Sequence, residues 1–207
     1  MRIVVPDLGL SNLWSARRAL EALGHDVITA CRPEPVASAD LIVLPGVGAF
    51  AEASRRLDGT GIGPAVREAA RRGAGVVGIC LGMQLLFDSS EEGGDAPGLG
   101  LLPGTVTRLR GGARIPHVGW NRVEPTAAGT HLFGNGAAGP YLYFVHSYVA
   151  RPASEDMVLA RCVHGEIFPA AVGRGACLGF QFHPEKSGEA GVRLLGAAIS
   201  WVSGARS

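Results

Sequence analysis

The stretch GVVGICLGMQLLF, residues 75–87, joins a short apolar run to a helix-forming run through the pattern G-x-C-x-G. Such an apolar run is typical of a strand buried on both faces, and the glycines around Cys80 allow a sharp turn from strand to helix. At the amino end of a helix, backbone N–H groups and the helix dipole stabilise a thiolate. The stretch predicts an α/β fold with Cys80 as a nucleophile, while a buried structural cysteine is the alternative.

Elements of the same kind precede this stretch. Short apolar strands are predicted at residues 3–5, 27–29 and 41–44, and amphipathic helices at residues 13–23 and 63–72. Apolar strands that alternate with amphipathic helices indicate a parallel sheet covered by helices on both faces.

The second half of the chain has a different pattern. Strand-like segments with short Gly/Pro turns lie at residues 105–109, 118–123, 142–149, 158–163, 167–172 and 177–182. A closing helix is predicted at residues 190–201. These segments indicate an antiparallel extension of the sheet. We therefore expect one three-layer αβα domain over residues 1–207, with a mostly parallel central sheet and this extension.

Composition places the chain among compact folded proteins. Of its 207 residues 47% are hydrophobic, and 19 basic and 18 acidic residues leave a formal net charge of +1. Disorder requires low hydrophobicity with high net charge, and nucleic-acid binding usually shows a basic stripe, so we expect neither. No transmembrane helix or signal peptide is recognisable, and the first residues reach Pro6 and Asp7 before an apolar region could form. The expectation is a cytoplasmic protein without a membrane partner.

The four cysteines, Cys31, Cys80, Cys162 and Cys177, form no C-x-x-C pair and no spaced His/Cys pattern. We therefore expect no disulfide framework and no metal site. Apart from Cys80, the cysteines are expected to be small core residues.

A base for Cys80 is predicted in GFQFHPE, residues 179–185. Strand alternation places Gln181 and His183 on one face, and Pro184 ends the strand. Glu185 can then accept a hydrogen bond from one ring nitrogen of His183 and leave the other to exchange protons with the thiol. A His/Glu pair at a strand end on the surface is the alternative.

Backbone donors for a developing oxyanion are predicted from two places. The amide of Leu81 follows the nucleophile, and the loop PGVG, residues 45–48, ends a central strand. Its glycines permit the amide of Val47 or Gly48 to turn inward, although PGVG alone could be only a turn.

Several rare residues fall within these and further motifs. The chain has one Lys, two Gln and three Asn, against 18 Arg. These rare residues are Asn12, Gln84, Asn121, Asn135, Gln181 and Lys186. All but Asn135 lie in the motifs quoted in this section.

Taken together, the motifs resemble the class I, triad-type glutamine amidotransferases, and more narrowly the glutaminase subunits of imidazole glycerol phosphate synthases of histidine biosynthesis. The resemblance covers nearly the whole chain. It is carried by DLGLSNL at 7–13, PGVGAF at 45–50, GICLGMQL at 78–85, IPHVGWN at 115–121, YFVHSY at 143–148 and FHPEKS at 182–187. One departure is Leu8-Gly9-Leu10-Ser11, where the family usually has Tyr-Gly-x-Gly, in the expected partner-facing loop.

The resemblance implies a flavodoxin-like fold, no cofactor, and glutamine hydrolysis by Cys80, His183 and Glu185. It also implies further sets of residues. Substrate contacts are expected from Gln84, Glu92, His146, Ser147 and Tyr148, although a solvated acidic loop is an alternative for Glu92. Interface contacts are expected from Asn12, Trp120, Asn121, Tyr143 and Lys186, although core packing is an alternative for Trp120 and a plain surface position for Lys186. The implied partner is a (β/α)₈-barrel cyclase in a heterodimer, which receives ammonia and makes imidazole glycerol phosphate and aminoimidazole carboxamide ribotide.

Other functions fit part of the pattern. A glutaminase of pyridoxal phosphate or anthranilate type would share the Cys/His/Glu set but is expected to differ in PGVGAF or PHVGWN. A non-catalytic regulatory module of the same fold is a further alternative, although the presence of all three triad residues argues against it.

Overall fold

The structure, a computed structural model, describes residues 1–9, 13–134 and 139–205. The helices are α1 (Leu13–Ala22), α2 (Pro33–Ala37), α3 (Phe50–Gly59), α4 (Ile62–Arg71), α5 (Leu81–Gln84), α6 (Thr130–Phe133) and α7 (Gly188–Gly204). The strands in the first half are β1 (Ile3–Pro6), β2 (Val27–Ala30), β3 (Leu41–Gly46), β4 (Gly75–Cys80), β5 (Ser89–Ser90) and β6 (Ala96–Pro97). Those in the second half are β7 (Gly104–Arg108), β8 (His117–Arg122), β9 (Glu124–Pro125), β10 (Tyr141–His146), β11 (Tyr148–Pro152), β12 (Val158–His164), β13 (Glu166–Arg174) and β14 (Cys177–Phe180).

The main sheet has eight strands in the order β2-β1-β3-β4-β14-β13-β12-β9. The first five are parallel to one another, and the last three continue the sheet in antiparallel fashion. This confirms the predicted mixed sheet. The last strand along the chain, β14, lies between β4 and β13 and so joins the parallel part to the antiparallel part.

The remaining strands do not extend the main sheet, and in this the sequence prediction is wrong. Strands β10 and β8 pair with each other, and β11, β7, β5 and β6 form a separate four-stranded sheet. The predicted strand at 142–149 is divided at Ser147, after which β11 joins a different sheet from β10. An alternating pattern indicates a strand, but the partner of that strand depends on contacts distant in sequence.

Two further differences concern where helices and strands begin and end. Helix α3 was not predicted, because no Ser, Thr, Asp or Asn precedes it; its cap is the side chain of Glu92, which accepts a hydrogen bond from the amide of Phe50 at 2.8 Å. The strand predicted at 177–182 ends at Phe180, and the run after Cys80 forms only the single turn α5.

Helices cover both faces of the main sheet. On one face, Val5 and Val77 pack with Leu20 of α1 and Leu195 of α7. On the other, the neighbouring strand residues pack with Val36 of α2, Leu57 of α3 and Val66 of α4. The αβα arrangement is therefore as predicted. Among the described residues, no helix has the length and apolar character needed to cross a membrane.

The G-x-C-x-G glycines are required by packing. A Cβ atom on Gly82 would lie 1.7 Å from the carbonyl oxygen of Leu44, and one on Gly78 would lie 2.6 Å from the backbone of Gly82. Both neighbours are backbone atoms, which cannot move aside by a change of rotamer. The turn at Cys80 is thus pressed directly against β3.

We expect Gly82→Ala to lower the free energy of unfolding by at least about 3 kcal/mol, because its methyl group overlaps the Leu44 carbonyl. Gly196→Ala in α7 is the matched control, since its Cβ would meet only Leu23 Cδ2 at 3.4 Å. That change should stay within about 1 kcal/mol of the parent, as alanine is favoured in helices. Urea unfolding of both variants measures this, and equal stabilities would contradict the packing argument.

Candidate active site

Cys80 occupies the strained turn that the sequence predicts. It is the last residue of β4, with φ 54° and ψ −109°, and Leu81 begins α5. A non-glycine residue in such a conformation costs on the order of 1–3 kcal/mol and persists only where packing enforces it. Because α5 is one turn long, its dipole contributes less to a thiolate than the sequence suggested. Stabilisation of the sulfur must come from neighbouring groups.

A cavity of about 240 Å³ opens next to Cys80. It is lined by Val47, Gly48, Cys80, Leu81, Gln84, Glu92, Pro116, Val145, His146, Ser147 and Tyr148. This set includes every residue predicted for the oxyanion site and every residue predicted for substrate contact. Sequence elements far apart along the chain therefore meet at one opening.

The predicted base and carboxylate are buried together. His183 Nδ1 and Glu185 Oε1 are 2.7 Å apart, and their side chains are 2% and 7% exposed. Burial by itself lowers the pKa of His183, but its interactions with Cys80 and with Glu185 outweigh this and raise the pKa to about 9. At neutral pH the site therefore holds an imidazolium beside the sulfur of Cys80.

The backbone around His183 is fixed from both sides. Its amide donates to the carbonyl of Tyr143 at 2.9 Å, and its carbonyl accepts from the hydroxyl of Ser187 at 2.6 Å. Pro184 to Lys186 then form a single 3₁₀ turn that brings Glu185 back to the ring. The hydrogen bond from the His183 amide to Tyr143 thus connects the predicted base directly to strand β10.

Two groups contact the sulfur of Cys80. The carbonyl of Val145 lies 3.6 Å from Sγ, and Nε2 of Gln181 lies 3.7 Å from it. The oxygen of Gln181 accepts a hydrogen bond from Nε2 of Gln84 at 3.1 Å. Sequence reasoning placed Gln181 on the face of His183 but gave it no role. The signal that could have identified Gln181 is the rarity of glutamine. The chain has only two glutamines, and their side chains hydrogen-bond to each other.

The PGVG loop and Leu81 lie against one another. Gly48 has φ +109°, a conformation that favours glycine, and a Cβ on Gly46 would lie 2.9 Å from the Cβ of Leu81. Glu92 holds the start of α3, which follows the loop directly. The backbone amides predicted as oxyanion donors thus border the same cavity, next to a carboxylate that also caps a helix.

A pair of neutral histidines supports the far wall of the cavity. His146 Nδ1 donates to the carbonyl of Tyr148 at 3.0 Å, and its Nε2 faces Nδ1 of His117 at 3.0 Å. Since a carbonyl can only accept, His146 Nε2 must accept from His117, whose own Nε2 faces the amide of Asn121 at 3.3 Å. Burial lowers the pKa of His117 to about 4 and that of His146 to about 3. Both rings therefore stay uncharged at neutral pH.

The predicted interface residues within the described part of the chain lie on strands β8 and β10 or next to them. Trp120 is 57% exposed, which argues against core packing, and its ring centroid lies 6.2 Å from that of Tyr143. Lys186 Nζ lies 6.0 Å from the centre of the Tyr143 ring. Asn121 directs its amide inward, towards the carbonyl of Val163 at 2.9 Å. Asn12 lies outside the described residues.

The other three cysteines differ in how deeply they are buried. Cys162 is buried and Cys177 is partly buried, and burial raises the pKa of their thiols to about 12 and about 11. Cys31 is exposed, so its prediction as a core residue is wrong. It lies beyond the end of β2, in a turn where an apolar strand pattern no longer applies.

Comparison with known proteins gives a consistent result. The family model for class-I glutamine amidotransferases matches residues 4–196. The imidazole glycerol phosphate synthase subunit HisH of Symbiobacterium thermophilum is 48% identical over 94% of this chain and 91% of its own length. The subunit of the same name from Gloeobacter violaceus is 48% identical over 93% of this chain and 86% of its own.

Solved structures agree in fold. A crystal structure of a glutamine amidotransferase superposes with a TM-score of 0.77 at 24% identity, over 97% of this chain and 98% of its own. PurLQS from Thermotoga maritima gives 0.74 at 23% identity, over 97% and 98%.

Replacement of Glu185 by glutamine should lower the pKa of His183 from about 9 by at least about one pH unit, because the carboxylate charge and its strong hydrogen bond both favour the imidazolium. Titration of ¹⁵N-labelled histidine by NMR measures this, with His183→Gln to assign the signal. Glu68→Gln is the control, since it removes a carboxylate paired with Arg71 on the surface of α4. An unchanged His183 titration in Glu185→Gln would contradict the assigned contact.

Proposed function

The chain belongs to the class-I glutamine amidotransferases and groups with the subunits named HisH, and we propose on this basis that it hydrolyses glutamine and passes the ammonia to a cyclase subunit. In this role it is the glutaminase subunit of an imidazole glycerol phosphate synthase, in histidine biosynthesis. The whole of residues 1–207 serves as one glutaminase domain. The single observation that carries the mechanism is Cys80 in its strained turn, at the edge of a cavity and beside a buried His183–Glu185 pair.

The first half of the reaction is acyl transfer to sulfur. The thiolate of Cys80 attacks the side-chain carboxamide carbon of glutamine, and the carbonyl oxygen becomes an oxyanion. Amides of Leu81 and of Val47 or Gly48 stabilise that charge. His183, which is protonated below about pH 9, gives its proton to the departing nitrogen, so that ammonia leaves and a glutamyl thioester forms.

The second half releases glutamate. His183, now neutral, takes a proton from water as the oxygen attacks the thioester carbon. Collapse of this second tetrahedral intermediate breaks the C–S bond and restores the thiolate–imidazolium pair. Glu185 keeps Nδ1 of the ring as the donor throughout, which leaves Nε2 for both transfers.

Substrate contacts follow from groups that line the cavity. Gln84 uses both of its N–H bonds within the protein, on Tyr148 and Gln181, so its oxygen is the group left to accept from the substrate. Glu92 supplies negative charge for the substrate ammonium. Backbone groups of His146, Ser147 and Tyr148 complete the wall.

A partner surface is proposed on the paired strands β8 and β10. Val118, Trp120 and Tyr141, which lie on these two strands, are 57%, 57% and 63% exposed, and such a group of exposed apolar side chains is typical of an interaction site. Tyr143, on the same strands, contacts His183 through its carbonyl, so the surface adjoins the site. We assign to it the (β/α)₈-barrel cyclase in a heterodimer, with Trp120, Asn121, Tyr143 and Lys186 at the contact; Asn12 stays an interface prediction from the sequence.

The cytoplasm is the proposed location. The described cysteines, Cys80 among them, are free thiols, and such thiols fit a reducing compartment.

The proposed function is tested by glutamate release from glutamine, for the chain alone and with a histidine-pathway cyclase and its nucleotide substrate. We expect strong stimulation in the complex and a loss of at least about 10³-fold in Cys80→Ala, since removal of the nucleophile leaves only binding effects. Stimulation in Cys80→Ala equal to that of the parent would reject Cys80 as the nucleophile. Activity that depends on Cys80 but not on this cyclase would direct the assignment to another synthase.

Trp120→Ala should weaken binding of the cyclase by about 30-fold, the effect of losing an aromatic anchor at an interface, with little change in melting temperature. Ile28→Thr is the control, because Ile28 is a 39% exposed apolar residue on β2, at the opposite edge of the main sheet from β9. Calorimetric titration gives both affinities. If Trp120→Ala instead had a strongly lowered melting temperature at unchanged affinity, a packing role would replace the interface role.

A further inference from the structure

Gln181 is the side chain whose amide nitrogen contacts the sulfur of Cys80, at 3.7 Å. We propose that Gln181 is a catalytic residue that donates a hydrogen bond to the Cys80 thiolate and holds the sulfur in position for attack. The inference rests on the proposed function, in which that sulfur is the nucleophile. It adds a side-chain donor to the Cys80, His183 and Glu185 set.

The direction of this hydrogen bond is fixed by a backbone carbonyl. The carbonyl of Tyr148 can only accept, so the group that Gln84 turns towards it, 2.9 Å away, must be its NH₂. The same NH₂ faces Gln181 at 3.1 Å, so Gln181 must present its oxygen there. Its own NH₂ is then left pointing at the sulfur, and the reverse orientation would set two NH₂ groups against each other.

Burial makes this contact effective. Gln181 is 0% exposed and Cys80 is 5% exposed, so the hydrogen bond is almost entirely shielded from bulk solvent. A hydrogen bond to a charged group in such surroundings is stronger than one between neutral groups. Because α5 is a single turn, a nearby donor of this kind matters more at Cys80 than the helix dipole.

The second group on the sulfur favours the opposite protonation state. The carbonyl of Val145, 3.6 Å from Sγ, can accept a hydrogen bond from the thiol but faces a thiolate with its own negative end. Gln181 is the donor that offsets this contact when the proton has left. The Val145 carbonyl thus favours the thiol, and the Gln181 amide favours the thiolate.

The same amide links the nucleophile to the substrate site. Gln181 reaches Cys80 with its nitrogen and Gln84 with its oxygen, and Gln84 lines the cavity. A shift of Gln84 on glutamine binding would therefore be transmitted to the sulfur of Cys80 through the side chain of Gln181.

The test is alkylation of Cys80 by iodoacetamide, which requires neither glutamine nor the cyclase. All proteins carry Cys31→Ser to remove the exposed thiol, and mass spectrometry follows the Cys80 peptide between pH 6 and pH 10. Gln181→Met keeps the length of the side chain and removes the donor. We expect alkylation about 10-fold slower at pH 7, the effect of one hydrogen bond to a charged group.

Ser54→Ala is the control. It removes a buried hydrogen-bond donor in α3, whose hydroxyl donates to the carbonyl of Pro97 at 2.6 Å, but leaves the donor on the sulfur, so its alkylation rate should stay within about threefold of the parent, less than one such charged hydrogen bond. Equal slowing in the two variants would attribute the effect to packing and overturn the proposal. So would a parent-like rate in Gln181→Met.

Two further comparisons separate failure of this proposal from a folding defect in Gln181→Met and from failure of the proposed function. If Gln181→Met does not melt cooperatively, Gln181→Asn replaces it, since the amide is retained but withdrawn by one methylene, and a parent-like rate there also overturns the proposal. Failure of the proposed function has a different signature: Cys80 of the parent would react no faster than glutathione, and Cys80→Ala would still release glutamate.

Discussion

The contact between Gly82 and the carbonyl of Leu44 governs the architecture of the site. It lets the chain reverse direction immediately after β4, and this reversal forces Cys80 into its positive-φ conformation. The strain at one residue is held by two sheet strands and by packing on both faces, so it does not relax. The sulfur therefore lies at a point defined by β3 and β4, and the loop at 45–48, the base and the amide of Gln181 are positioned around it.

His183 is positively charged and His146 is neutral because their hydrogen-bond partners differ. His183 has a carboxylate on one nitrogen and a sulfur near the other, so its positive charge is favoured despite burial. His146 has a carbonyl on one side and a neutral histidine on the other, and burial keeps it uncharged. The protonated ring of His183, which exchanges protons, thus lies close to two neutral histidines whose orientations are fixed by hydrogen bonds. The separation permits proton transfer at one ring without disturbing the cavity wall that His146 lines.

The sequence predicts those parts of the site whose chemistry is local. The turn at Cys80 and the His183–Glu185 pair are encoded within a few residues, so spacing predicts both, with a structural cysteine and a surface His/Glu pair as the alternatives. The Gln84–Gln181 contact joins residues 97 apart, and the cap of α3 by Glu92 spans 42 residues, so no local pattern announces either. For the same reason the alternation in β8 and β10 predicts strands correctly but not their departure from the main sheet, since pairing is decided by partners distant along the chain.

The central position of β14 has a consequence for synthesis of the protein. Until residues 177–180 have left the ribosome, β4 has an open edge and no base stands near Cys80, because His183 follows β14 by three residues. A nascent chain can form the first strands and the turn, but its two half-sheets are not yet joined. The thiol is therefore made long before the group that activates it. Hydrolytic competence arrives only after His183 and Glu185 have been made, together with the pairing of β14 that joins the two parts of the sheet.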